Sequence, residues 1–198
     1  MNTSAAVHGS GEPSPWVRDW AHLVAAGGAV LDVASGAGRH ARFFAARGHP
    51  VTAIDRDAAA LGMLRDEPLV TRLAADLETA SWPLPADARF AAVIVTNYLH
   101  RPLFANLLHA LAPGGVLVYE TFAQGNESVG KPSNPAFLLA PGELLDRVRG
   151  QLRVVAFQDG FLARPRPAYV QRICAIREAK RPDDPTQAAP PPCYELAG

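Results

Sequence analysis

The stretch from Ala29 to Asp57 admits few folds. Val30, Leu31 and Val33 make a short apolar strand that runs into a turn marked by Gly36 and Gly38. A helical run follows. Val51-Thr-Ala-Ile-Asp55 is then a second apolar strand that ends in an acid. A strand, a glycine turn, a helix and a strand closed by a carboxylate form the front half of a nucleotide-cofactor site. The turn lets backbone approach a ligand. The acid sits where it can accept hydrogen bonds from ribose hydroxyls.

The rest of the chain continues the alternation. Strands are expected at 29–33, 51–55, 70–74, 90–96, 116–121, 152–157 and 170–176, and helices near 39–47, 57–66, 102–111 and 142–149. Ser14-Pro15 reads as an N-cap and first helical residue, with Trp16, Trp20, Leu23 and Val24 on one face. That helix packs on the domain or helps to lid a pocket. Leu111-Ala-Pro-Gly-Gly115 stops a helix and turns into the next strand. Strand–helix alternation implies an α/β fold, a mostly parallel sheet covered on both faces. The last two apolar runs have no helix between them, so they form an antiparallel pair.

At 198 residues the chain is expected to be one domain, from residue 14 to 178, after a flexible lead (1–13) and before a disordered Pro-rich tail (179–198). Lys plus Arg equals Asp plus Glu, 19 each, so no large basic face for nucleic acid is suggested. Cys174 and Cys193 give no disulfide framework and no zinc spacing, and no metal is expected. No apolar run has the length of a secretory signal or a membrane span, so the expected location is the cytoplasm.

The cofactor turns on Asp32. Gly36-Ala-Gly38-Arg-His-Ala41 fits the dinucleotide fingerprint, with Asp55 about twenty residues on. An acid near the end of the first strand would repel a pyrophosphate. It would attract an ammonium group, directly or through water. S-adenosyl-L-methionine carries an ammonium, a sulfonium and no phosphate.

Asp32-Val-Ala-Ser-Gly36-Ala-Gly38 resembles the first motif of class I S-adenosylmethionine-dependent methyltransferases, Asp/Glu-x-Gly-x-Gly-x-Gly. Ala34 stands where the first glycine is expected. Asp55 matches the family's acid on the ribose hydroxyls. Ala75-Asp76-Leu77 matches its adenine-contacting segment. Val93-Ile-Val-Thr96-Asn-Tyr98 matches its fourth strand and the loop beside the methyl group. The resemblance covers about residues 29 to 176. It implies a Rossmann-like three-layer sandwich with a seven-stranded sheet, order 3-2-1-4-5-7-6, the seventh strand antiparallel. Within the class the chain looks most like small-molecule enzymes of the tellurite-resistance and thiopurine type. The cofactor residues implied are Asp32, Ala34, Ser35, Gly36, Gly38, His40, Asp55, Arg56, Asp76, Leu77 and Asn97.

The segment Asn97-Tyr98-Leu-His100-Arg101 borders the expected pocket, because ligands bind outside the carboxyl ends of parallel strands. Tyr98 can pack beside a sulfonium. His100 can act as a base near neutral pH, or can bond a neighbouring backbone group or begin the helix that Pro102 starts. Arg101 can grip an anionic substrate. The long loop after residue 119 reads as a lid or as an ordered connector, with Glu120, Asn126 and Asn134 as candidate substrate contacts. Glu120 needs a partner, either substrate or an arginine. The expected partner is a small-molecule methyl acceptor, with no membrane and a monomer or homodimer. An RNA or protein methyltransferase with a patch at Arg164 and Arg166 is an alternative, as is a non-catalytic cofactor-binding subunit.

Overall fold

The structure is a computed structural model that describes residues 11–79, 81–179 and 192–197. Seven strands run in the order β3-β2-β1-β4-β5-β7-β6. They are β1 (Val30–Val33), β2 (Val51–Asp55), β3 (Val70–Ala74), β4 (Phe90–Thr96), β5 (Leu111–Phe122), β6 (Arg153–Leu162) and β7 (Ala168–Ile176). The first five pair in parallel, and β7 lies antiparallel between β5 and β6. This is the expected sheet.

Period-two alternation gives the sheet two apolar faces. Leu31, Val33, Val93, Val95, Leu117 and Tyr119 face a core closed by α4 (Phe104–His109) and α5 (Glu143–Val148). Val30, Ala92, Ile94, Val116 and Val118 face a second core closed by α1 (Pro15–Trp20) and α2 (Arg39–Ala45). Trp16 and Trp20 are buried in that second core. They pack there and do not line the cofactor cleft described below.

The caps follow from the residues. Ser14 Oγ accepts from Trp16 N at 3.2 Å, and Pro15 takes the first helical position. Asp57 caps α3 (Ala58–Gly62) by accepting from Ala59 N and Ala60 N. α3 is shorter than the expected 57–66, since turns carry the chain from Met63 onward. β5 begins five residues earlier than expected. Leu111 pairs with Phe90 and Val116 with Ala92, so Ala-Pro-Gly-Gly bulges out between two paired stretches. β6 extends to Leu162 and forms a long edge hairpin with β7.

None of the described helices is long and apolar enough to cross a membrane. Most of the expected disordered tail lies outside the described residues. The part that is described, 192–197, departs from that expectation. Tyr194 and Ala197 pack against the α1–α2 core, and His22 Nε2 lies 3.1 Å from the carbonyl oxygen of Glu195.

Candidate active site

The carboxyl ends of β1 to β4 open onto one cleft of about 170 Å³. Ala34, Asp55, Arg56, Asp76, Leu77, Asn97 and Tyr98 line it, together with Ala75 and Glu78. Six of the residues expected at the cofactor thus meet there, together with Tyr98, expected beside the methyl group. Glu78 was missed; its signal was its place two residues after Asp76, whose Oδ1 accepts from Glu78 N at 2.9 Å. The volume is below the ~300 Å³ lower end of small-molecule sites. These walls therefore hold part of a ligand, and the rest must continue along the glycine turn.

That turn is tied down by the acid of the second strand. Asp55 Oδ2 accepts from Gly36 N at 2.7 Å, and its Oδ1 accepts from Asp57 N at 2.8 Å. Gly38 has φ 78°, and a side chain there would collide with buried Leu64. Ala34 and Asn97 hold left-handed backbone without being glycine, at φ 53° and 55°. Both sit on the cleft, where such backbone concentrates in functional sites.

The cleft is acidic. Asp55, Asp76 and Glu78 face a single cation, Arg56. The hydrogen bond from the Glu78 backbone holds the Asp76 carboxyl below its ordinary range, against some desolvation and with help from Thr79 and Arg56. Tyr98 is pushed well above the ordinary phenol range by burial, then by the charges of Glu78 and Asp76, and keeps its proton.

Asp32 and Ser35 lie beneath the turn, both buried. Burial lifts Asp32 to about 7, while the Ala41 backbone and Arg39 pull the other way and Asp55 adds to the rise. Asp32 Oδ2, Ser35 Oγ and the Tyr98 hydroxyl are buried without a hydrogen-bond partner among the described residues. Orphaned polar atoms around one cleft are what a polar ligand would satisfy. An unpaired carboxylate oxygen suits an ammonium, and the acids at the ends of β2 and β3 suit ribose and an exocyclic amine. The residues present fit S-adenosylmethionine.

Four expected contacts are otherwise engaged. His40 does not serve a ligand through Nε2, which accepts from Ser14 N at 3.1 Å. Burial, with Arg39 beside it, lowers His40 to about 3, so the ring is neutral. Glu120 has an arginine for its partner. Its Oε2 pairs with Arg172 Nε, and its Oε1 accepts from Ser14 Oγ at 2.8 Å. Asn126 is buried, donates to Pro132 O at 2.9 Å and accepts from Tyr169 N at 3.3 Å. Asn134 caps a 3₁₀ turn at Pro135–Phe137 by accepting from Ala136 N. Of the two readings of this loop, these contacts match the ordered connector. Arg101 clamps it, donating to Ala136 O, Leu138 O and both oxygens of Glu143.

His100 is half-buried and does not line the cleft, and its ring has no hydrogen-bond partner among the described residues. Of its two structural alternatives, the ring bond to backbone is not made among the described residues, while His100 does precede the 3₁₀ turn Arg101–Leu103, its carbonyl accepting from Leu103 N at 3.1 Å. No group of three or more His, Cys, Asp or Glu side chains among the described residues is arranged to hold a metal ion.

Residues 30–115 match the family model described as a methyltransferase domain. No curated protein matches the chain by sequence. TehB from Haemophilus influenzae superposes with a TM-score of 0.71 at 16% identity, over 86% of this chain and 64% of that one. The chain thus spans less than two thirds of that relative. A TehB-like S-adenosylmethionine-dependent methyltransferase from Corynebacterium glutamicum gives 0.60 at 18% identity, over 82% and 87%. The 1,6-didemethyltoxoflavin-N1-methyltransferase of Burkholderia thailandensis, solved with bound 1,6-didemethyltoxoflavin and S-adenosylhomocysteine, gives 0.60 at 22% identity, over 83% and 77%. At these identities the likeness is one of fold. The chain has the architecture of the class I S-adenosylmethionine-dependent methyltransferases, as its motifs implied.

Proposed function

We propose that this protein transfers a methyl group from S-adenosylmethionine to a small-molecule acceptor. The observation that carries the reading is the acidic cleft. Three carboxylates against one guanidinium, with Asp32 buried below, oppose a pyrophosphate and favour a cationic cofactor. A nicotinamide dinucleotide would bring two phosphates into that field. Asp55 and Asp76 would receive the ribose and the adenine. The Tyr98 hydroxyl, which keeps its proton, can donate into the cleft.

When bound, the cofactor supplies an activated methyl group. The task left to the chain is alignment and exclusion of water. The turn at Ala34–Gly38 would hold the amino-acid end of the ligand over Asp32. Asn97, fixed by its backbone N–H on Glu120 O at 2.9 Å, would hold the wall between the cofactor and the acceptor. His100 would be the group to take a proton from an acceptor that carries one; that its ring has no competing partner among the described residues supports the reading.

Calorimetric titration with S-adenosylmethionine, S-adenosylhomocysteine and NADH tests the cofactor. Micromolar binding of the first two and none of the third is expected. Binding of NADH alone would overturn the reading. Turnover on a small-molecule panel then separates an enzyme from a binding subunit. His100→Ala should slow turnover more than it changes cofactor affinity, and a fully active variant would remove the base.

A further inference from the structure

A second cleft, of about 470 Å³, lies between α1 and α2 and shares no lining residue with the cofactor cleft. Four guanidinium groups line it: Arg18 from α1, Arg39 and Arg42 from α2, and Arg47 just beyond. Glu12 is the only acid in its wall among the described residues. Glu67, outside the wall, pairs with Arg42 at 3.4 Å. Counting both acids, two positive charges remain uncompensated in a chain whose formal net charge is zero. The guanidinium groups of Arg18 and Arg39 form no ion pair or hydrogen bond with any described residue. Arg42 is held by donating to Ala37 O and Met63 O, and Arg47 lies 3.6 Å over the Phe43 ring while donating to Phe43 O. Two forks are therefore pre-positioned and two are free to close. Like charges gathered in a concave wall repel one another, and an anion would relieve that repulsion.

We propose that this cleft is a binding site for a small molecule carrying two or more phosphate groups. Guanidinium groups match phosphate oxygens in pairs, which a lone ammonium does not. The cleft volume falls within the range of small-molecule sites. From Arg39 to Ala45 the helix rises only about 9 Å, and the overall charge balances, 19 Lys plus Arg against 19 Asp plus Glu. Both facts favour a compact polyanion over a nucleic-acid strand.

The test is calorimetry of the full chain with tripolyphosphate and with ATP, and with a ten-nucleotide single-stranded RNA as the competing class. Arg18→Glu and Arg47→Glu reverse exposed charges in the cleft. Arg65→Glu makes the same change in net charge outside it. Tripolyphosphate and ATP should bind, each cleft variant should weaken them at least tenfold, and Arg65→Glu should leave them unchanged. No binding by the parent chain at millimolar ligand, an equal loss in Arg65→Glu, or binding of the RNA alone would each overturn the proposal. S-adenosylhomocysteine affinity is measured alongside and should not move in any variant. Its failure in the parent chain would count against the methyltransferase reading and leave the arginine cleft standing.

Discussion

Ala34 holds φ 53° on the wall of the cofactor cleft, a conformation that strains a residue with a Cβ. It stands where the resembled motif has glycine. Ala34→Gly should therefore stabilise the protein by about 1 kcal/mol without weakening the cofactor, measured by urea denaturation and calorimetry. A loss of stability would show that surrounding contacts want the methyl group. Asp32 carries the opposite kind of strain. Its folded pKa, about 7, lies above its ordinary 3.8, chiefly through burial. The folded state thus holds that proton more tightly than the unfolded chain does. The stability it contributes is full below 3.8 and is lost as the pH rises through about 7. Asp32→Asn removes that loss, so its gain in stability should be larger at pH 8 than at pH 5 by roughly 2–3 kcal/mol. The same substitution should weaken S-adenosylmethionine by about 1–3 kcal/mol, because a charged partner for the ammonium is gone. Equal stability gains at both pH values would refute burial as the cause. Residues such as Asp55, Asp76 and Asn97 were legible beforehand because strand ends in a parallel sheet share one edge. The partners of Glu120 were not, since Ser14 is 106 positions away and no local pattern encodes that pairing.

At the scale of elements, the entry of α1 is fastened to the rest of the domain by polar contacts. Ser14 caps the helix, reaches His40 on α2 and donates to Glu120 on β5, which Arg172 on β7 pairs in turn. Removing one partner leaves a charge buried and unpaired, which is far more harmful than removing both. Arg172→Met should therefore destabilise by about 3 kcal/mol, and adding Glu120→Gln should restore much of it. Additive losses in the double variant would mean that the pair is not coupled. Glu143 on α5 gives a second reading of the same physics. Burial raises its pKa, but hydrogen bonds from Arg101, Arg147 and the Ala140 backbone win and hold it down to about 2. Its contribution should be present above 4.5 and lost as the pH falls through about 2, so Glu143→Gln should flatten the acid limb of an unfolding curve. The central strands were readable from their apolar runs, and the caps from Ser14-Pro15 and Asp57. The early start of β5 was not, because a proline and two glycines between paired stretches read locally as a plain turn. The choice between lid and connector for the segment after β5 was not either. Its order comes from Arg101 and from tertiary bonds to Asn126, not from its own sequence.

For the molecule as a whole, the sheet separates two kinds of work. The ends of β1 to β4 carry the cleft, while β5, β7 and β6 form an edge whose bonds are made within the protein. A ligand in the cleft should therefore tie four loops together and leave the far edge alone. With S-adenosylhomocysteine at a hundred times its Kd, linkage gives about 2.7 kcal/mol of added stability. For a chain of this size that is a rise of roughly 5–10 °C in Tm. Hydrogen exchange then locates the effect. Amides in 34–38, 55–57, 75–78 and 97–98 should slow on binding. Those at the β6–β7 hairpin tip, 161–168, open locally and should exchange at an unchanged rate. A rise in Tm with slowing confined to the arginine cleft would place the ligand between α1 and α2 instead. Slowing confined to the hairpin tip would move it to the opposite edge of the sheet, where Arg164 and Arg166 lie. Either pattern would detach the glycine turn from its proposed role, because the ends of β1 to β4 can bind as one site only if their loops lose motion together.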